Sequence, residues 1–341
     1  GVTMKAAVWR GQKQEFKIED VPDPKPGPEE VLIKVRYCGI CGTDLHLISA
    51  GLIPDGAIMG HEVTGKIAGL GSAIKDLKED DLIAIRPYAP CGHCPACASG
   101  RPNICPEAIE NAVGFGKVPG GFAEYLKAKK EQVWKLRKEV SPREGTLAEP
   151  LASAVHAVKR ASATIGDSAL VIGGGPMGTL VGIALKWAGA HRVVISEPVQ
   201  RRRNIIKNLR IGEVADPERT DLLKYFDDFI WKRPMLVFDC AGQKESLEQA
   251  IELCGPGGKV VMASLSWEPV LINSMACLAK ELMLFASFSY YEELEAALDI
   301  ITSDLFDFHS LITAIVPLEE LPKKIDRVKF PSSEMKVLVQ I

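Results

Sequence analysis

Cys41, Asp44, His46, His61 and Glu62 fall within one short stretch of the sequence, 41–62. A thiol, two imidazoles and two carboxylates are the side chains that hold Zn²⁺, and a Cys/His/carboxylate set with one coordination position left free is catalytic in kind. Taken singly, a cysteine is most often a small buried apolar group and a histidine a satisfied polar one, so the stretch needs support from elsewhere in the chain. A more specific cluster follows. Cys91, Cys94 and Cys97 recur at intervals of three, with Cys105 eight residues further on, in a segment rich in Gly and Pro. Four thiolates complete a tetrahedral site without a vacancy, so the zinc they imply is structural, and His93 inside the loop reads as a turn residue.

A third pattern points to a nucleotide. The apolar run 168–172 leads into Gly173-Gly174-Gly175-Pro176-Met177-Gly178, and apolar residues then recur at 177, 180, 181, 184, 185 and 188. Strand, tight glycine turn and helix form the context in which a GxGxxG pattern cradles a dinucleotide. Gly173 permits the turn, Gly175 lets the backbone approach a pyrophosphate, and Gly178 lets the helix pack on the strand, with Pro176 and Met177 opening that helix. Glu197 ends the next strand, where a carboxylate accepts hydrogen bonds from ribose hydroxyls and repels a 2′-phosphate, so NAD is expected over NADP. Arg201, Arg202 and Arg203 follow and read as a solvated helix face, with Arg202 also a candidate cofactor contact. Glu149 stands at the entrance of a helix over 151–161. It is either a partner of the helix dipole or a further ligand of the 41–62 site, and the residues alone leave both open.

These residues need two kinds of scaffold. A chain of 341 residues suits two domains, each burying its own core. Short β patterns at 4–9, 30–36, 63–70 and 82–86, separated by Pro- and Gly-rich loops, predict a small irregular antiparallel β domain that carries Cys41 and His61 at strand ends or in loops. Segment 114–121 reads as a mobile glycine-rich connector without chemistry. From 168 onward, strands at 168–172, 192–196, 235–239, 258–262 and 282–288 alternate with helices, which predicts a doubly wound parallel sheet. A helix carrying Leu294, Ala297, Leu298 and Ile301 and a strand at 335–341 are expected to rejoin the first domain. The boundaries are therefore 1–150 with 289–341 for one domain, and 151–288 for the other.

Composition narrows the partners. Hydrophobic residues make up 47%, charged residues 25%, and the formal net charge is -3, which gives no basic surface for nucleic acid or an anionic membrane. No apolar run is long enough to span a bilayer. The first twenty residues carry Lys5, Arg10, Lys13, Glu15, Lys17, Glu19 and Asp20, unlike a signal peptide. Nine cysteines, four of them within 91–105, suggest metal binding in a reducing compartment, so the cytoplasm is expected. Cys38, Cys240, Cys254 and Cys277 read as small core residues.

With these motifs in place, the chain resembles a zinc-dependent medium-chain alcohol/polyol dehydrogenase over nearly its full length. The resemblance implies an α/β plus β architecture, with a discontinuous GroES-like β-barrel catalytic domain beside a Rossmann domain, and two zinc ions per chain with NAD. Cys41 and His61 match catalytic zinc ligands, and Cys91, Cys94, Cys97 and Cys105 match the structural site. Asp44 matches the carboxylate that orients the ligand histidine, while Thr43 and His46 match the relay that carries the alcohol proton to solvent. Glu62 and Glu149 both match carboxylates that serve this metal in different branches, and either can be the third ligand. The implied reaction moves a hydride between an alcohol and NAD.

Ser287-Phe288-Ser289-Tyr290 and Glu149-Pro150 are similar to the sorbitol and 2,3-butanediol dehydrogenase branches, with Tyr290 as a pocket residue. Sorbitol-specific relatives have an Arg before that Tyr. This chain has Ser289, so a secondary alcohol or short vicinal diol is expected, giving the ketone. Alternatives are a polyol/sugar or L-threonine dehydrogenase on the same scaffold and, outside the enzymes, a dinucleotide-binding protein without chemistry. The resemblance also implies a homodimer or homotetramer.

Overall fold

The structure, a computed structural model, describes residues 3–115, 117–227, 233–266, 268–327 and 332–341. It divides into two compact units, Gly1–Glu149 with Tyr290–Ile341, and Pro150–Ser289.

In the first unit β1 (Thr3–Arg10) and β2 (Glu15–Pro22) form an antiparallel hairpin. The strand that positions the site is β3 (Glu30–Ile40), which pairs antiparallel with β4 (Glu62–Leu70). Along β3, Val31, Ile33 and Val35 are buried and Lys34 and Arg36 exposed, the alternation of a strand with one wet face. From Tyr37 to Ile40 every residue is buried, because that end of the strand is covered on both faces. The sheet continues through β5 (Leu82–Ile85) to β7 (Val133–Lys135), while β6 (Tyr125–Lys129) pairs with β3. The core beneath it is built from Trp9, Phe16, Ile33, Ile67, Phe122 and Leu126 among others.

The second unit is a six-stranded parallel sheet. Its strands are β8 (Ser168–Ile172), β9 (Arg192–Ser196), β10 (Glu213–Ala215), β11 (Leu236–Asp239), β12 (Lys259–Met262) and β13 (Met283–Ala286), in the order β10-β9-β8-β11-β12-β13. Helices such as Pro176–Trp187, Gln200–Leu209 and Ser246–Leu253 connect them. The strand order reverses between β8 and β11, and in such sheets ligands bind at the carboxyl ends of the strands on either side of the reversal.

The chain then returns to the first unit. There β14 (Ile312–Pro317) runs parallel to β15 (Lys336–Gln340), and β15 lies antiparallel against β3. Strands β10 and β14 are not legible in the sequence, since β10 has three residues and β14 is half-buried along most of its length without a period of two. The helix bearing Glu149 is Ala148–Arg160, starting earlier than the sequence suggests and placing Glu149 in its first turn. Among the described residues no helix is long and apolar enough to cross a membrane.

Segment 114–121 is described except at 116, and its C-terminal end is hydrogen-bonded to the residues before His61. Gly120 N–H donates to the Ile58 carbonyl at 2.9 Å, Gly121 N–H to that of Gly60 at 2.8 Å, and Phe122 N–H to that of Met59 at 3.0 Å. A Cβ on Gly114 or Gly120 would collide with the Gly60 carbonyl. The glycines are there for close backbone approach, and they clasp the segment leading into His61.

Candidate active site and metal centres

The first centre forms where β3 ends and β4 begins. Cys41 leaves β3 and caps the helix Gly42–Ser49; its Sγ accepts the Thr43 N–H at 3.4 Å, while the Asp44 carboxylate accepts the Cys41 N–H at 2.9 Å. This reciprocal cap fixes the thiol at the start of the helix. Thr43 Oγ1 lies 3.6 Å from the same sulfur. One turn along this helix is His46, partly buried, and burial lowers its pKa.

His61 precedes β4 and Glu62 is its first residue, and both are buried. A sulfur of Cys41, a ring nitrogen of His61 and a carboxylate oxygen of Glu62 lie within 4.8 Å of one another. His61 Nδ1 is 3.4 Å from Asp44 Oδ1, close enough for charge attraction, yet neither atom has a partner in hydrogen-bond geometry among the described residues. The ring of His61 stacks on Phe115, with centroids 4.4 Å apart and planes at 27°. Burial alone would lower the His61 pKa, but the charges of Asp44 and Cys41 overcome it and push it well up. Buried negative donors converging on a ring that takes up a proton are what a divalent cation would satisfy, so the residues fit zinc.

Glu62 has a partner that the motif does not reveal. Lys336, the first residue of β15, donates to both carboxylate oxygens at 2.6 and 2.7 Å, and both side chains are buried. Glu62 packs over Gly39, its neighbour on β3, where any side chain would clash with the carboxylate. Burial works against the charge on Lys336, but Glu62 outweighs it and raises the pKa, so the ammonium keeps its charge. Glu149 is also buried, and burial, reinforced by the charge of Glu62, raises its pKa to about 7 against the pull of His61. It is not among the side chains that converge with Cys41 and His61.

Tyr290 is fully buried and its hydroxyl has no hydrogen-bond partner among the described residues. Burial, then the nearby Glu149, holds that hydroxyl well above its usual pKa. The adjoining Tyr291 is tied down by Arg86, whose guanidinium donates to the carbonyls of Tyr88, Glu131 and Tyr291 and lies over the ring of Tyr291.

The second centre brings together Cys91, Cys94, Cys97 and Cys105, with sulfurs within 4.8 Å. Cys94 and Cys97 are 3.6 Å apart, as are Cys91 and Cys105. Ligand sulfurs at about 2.3 Å from a tetrahedral zinc would be about 3.8 Å apart, so the four thiols are already close to that arrangement. Burial pushes Cys97 up to about 12, whereas at Cys105 the N–H groups of Cys91 and Ala108 overcome burial and pull it down to about 6. The side chain of His93 is 78% exposed, with Nδ1 against the Cys91 carbonyl.

In the second unit the glycine turn follows β8 as the pattern requires. Gly173 has φ +93° and lies against Ala241, which follows β11, so the turn sits at the reversal of strand order. Gly178 touches the Gly173 carbonyl so closely that a side chain is excluded, and Gly175 caps the 12-residue helix that starts with Pro176 and Met177. Exposed N–H groups at such a helix start suit a pyrophosphate. Glu197 is buried just beyond β9 and accepts the Val199 N–H at 2.8 Å.

The arginines depart from the expectation of a solvated face. Only Arg201 is exposed; Arg202 and Arg203 are buried. Arg202 approaches Glu197 at 3.9 Å and lies beside Gly175, while Arg203 donates to the Glu197 carbonyl and pairs with Asp216 at 2.7 Å. Arginine buries its stem readily when carbonyls and carboxylates meet its fork, and charge patterning alone does not reveal this. Cys38 and Cys254 are buried as expected, but Cys240 and Cys277 are only partly so.

Lys336 and Phe115 are the residues that sequence reasoning missed. A signal for Lys336 exists: it begins the apolar run Val337-Leu338-Val339, and a lysine heading a strand covered on both faces needs a buried carboxylate.

Residues 27–138 match the family described as "Alcohol dehydrogenase GroES-like domain", and 176–303 match "Zinc-binding dehydrogenase". An L-threonine 3-dehydrogenase of Pyrococcus furiosus is 37% identical over 74% of each chain, and a sorbitol dehydrogenase of Bacillus subtilis 29% identical over 98% of this chain and 97% of its own. Among solved structures, a zinc-binding dehydrogenase of Sinorhizobium meliloti bound to NADP superposes with a TM-score of 0.92, at 30% identity over all of both chains. The 2R,3R-butanediol dehydrogenase of Bacillus subtilis gives 0.89, at 29% identity over 99% of each. The chain belongs to the zinc-dependent medium-chain alcohol and polyol dehydrogenases.

Proposed function

We propose that this enzyme interconverts a secondary alcohol or short vicinal diol with its ketone, using NAD. The convergence of Cys41, His61 and a buried carboxylate beside the hydroxyl of Thr43 carries this reading. We assign 1–150 with 289–341 to catalysis and 151–288 to the dinucleotide. When bound between Cys41, His61 and a carboxylate, zinc would supply the Lewis acidity that makes an alcohol hydroxyl acidic, and bound NAD would supply the hydride acceptor.

The chain's own residues do the rest. Thr43 accepts the hydroxyl proton as it gives up its own to the relay, and His46, held neutral by burial, receives the relayed proton and releases it to solvent. Asp44 holds His61 as a ligand by charge attraction. Glu62 and Glu149 are both candidates for the third ligand: Glu62 is the carboxylate that converges with Cys41 and His61 although Lys336 holds both its oxygens, and Glu149 is buried within electrostatic reach of His61. The unpartnered hydroxyl of Tyr290 favours a substrate with a hydroxyl to offer it. In the second unit Gly173, Gly175, Pro176, Met177 and Gly178 cradle the pyrophosphate, Glu197 receives the ribose hydroxyls, and Arg202 steadies Glu197. The cysteines at 91, 94, 97 and 105 hold the structural zinc.

A self-associating surface accompanies this. Strand β13 ends the sheet with Met283 and Leu284 exposed, and Leu271, Met275 and Leu278 beside it are 86, 67 and 71% exposed. An apolar sheet edge of this kind supports pairing with a second copy, as a homodimer or the unit of a tetramer. The cysteines, all of them free thiols, suit the cytoplasm. The test of function is a panel of secondary alcohols, vicinal diols, polyols and L-threonine with NAD. Turnover strongest on a diol or secondary alcohol supports the reading; turnover confined to threonine or hexitols replaces it.

A further inference from the structure

We propose that the lobe formed by Cys91, Cys94, Cys97 and Cys105 positions the catalytic metal centre, and that Phe115 is the side chain through which it acts. This rests on the reading that Cys41 and His61 hold the catalytic zinc.

Among the described residues Asp44 stands 3.4 Å from the His61 Nδ1, outside hydrogen-bond geometry, and a charge at that distance constrains the ring plane only weakly. What faces the ring is Phe115, stacked at 4.4 Å. A flat, polarisable partner fixes the tilt of an imidazole, which a charge alone leaves free.

Phe115 belongs in turn to the lobe. It packs with the thiols of Cys91, Cys94 and Cys97 against the buried cluster of Tyr88, Cys105, Ala108 and Ala112, and its ring lies 5.8 Å from that of Tyr88. This core is too small to hold a shape without a crosslink, so the metal among the thiols sets where Phe115 stands. The backbone repeats the link. From Cys105 the chain passes through the helix Pro106–Glu110 to Val113, whose N–H donates to the Pro87 carbonyl at 3.0 Å, and then to Gly114, pressed against Gly60 and the His61 nitrogen. Ring and backbone of His61 are thus both held by the segment that leaves the fourth thiolate.

The full-length protein, loaded with Co²⁺ at both centres and without substrate or NAD, tests this by its absorption spectrum and by metal release to a chelator. Cys41→Ser must lose one metal of the two and keep the thiolate-cobalt bands of the lobe. If it retains both, the reading of the active site fails and this inference falls with it. Phe115→Leu is expected to shift the ligand-field bands of the catalytic ion and release that ion about tenfold faster, leaving the lobe's bands and release unchanged. Phe115→Tyr, which keeps the ring, restores the wild-type spectrum. Wild-type bands and release in Phe115→Leu overturn the proposal. Equal loosening of both metals, or no rescue by tyrosine, also overturns it, because either result marks Phe115 as a general packing residue.

Discussion

Lys336 holds both carboxylate oxygens of Glu62 across 274 residues of sequence, inside a site where neither side chain meets solvent. The last strand thereby supplies the counter-charge for a carboxylate that converges with the thiol of Cys41 and the imidazole of His61. Breaking a buried pair from one side strands a charge. Lys336→Met should therefore cost about 3–5 kcal/mol, read as a lower denaturation midpoint with unchanged slope. Pairing it with Glu62→Gln should recover much of that loss. A single variant as stable as the wild type contradicts the ionised pair.

Glu149 makes stability depend on pH once metal is removed. Its folded pKa of about 7 lies above the ordinary carboxylate value, so the folded state binds more protons than the unfolded one between those limits. Stability of the chelated protein should thus be highest at acid pH and fall as pH rises from about 4.5 to about 7, by up to roughly 3 kcal/mol from this group. Glu149→Gln should flatten the decline, as followed by Tm against pH. Parallel curves for the two proteins would reject this account.

Glu197 is the residue on which cofactor choice is expected to turn. With the carboxylate buried beside the glycine turn, kcat/KM should favour NAD over NADP, and Glu197→Ser should narrow the ratio by at least about tenfold, or about 1.4 kcal/mol. That substitution removes the carboxylate that Arg202 approaches at 3.9 Å. Equal use of both cofactors by the wild type would show that the arginine already dominates.

The exposed row of Met275, Leu278 and Met283 predicts the association state. Leu278→Glu with Met283→Lys should convert a dimer to a monomer, or a tetramer to a smaller species, in light scattering behind size-exclusion chromatography. Unchanged mass would move the interface elsewhere.

Local pattern carried a large share of this protein. The cysteines at 91, 94, 97 and 105, the glycines at 173, 175 and 178 and the acidic end of β9 are legible because each site draws its groups from one short segment, where spacing reflects geometry. Cys41 with Asp44 belongs here too, since a helix cap joins residues three apart. Tertiary structure alone decided which charges meet. It set Lys336 on Glu62, buried Arg202 and Arg203 where a solvated face was expected, and brought Gly114 and Gly120 against the backbone of Gly60 beside His61. The reason is physical. A chain's spacing fixes contacts within a turn or a hairpin, whereas a buried charge takes its partner from whichever strand the sheet order brings alongside, and that order is settled by packing of the whole unit.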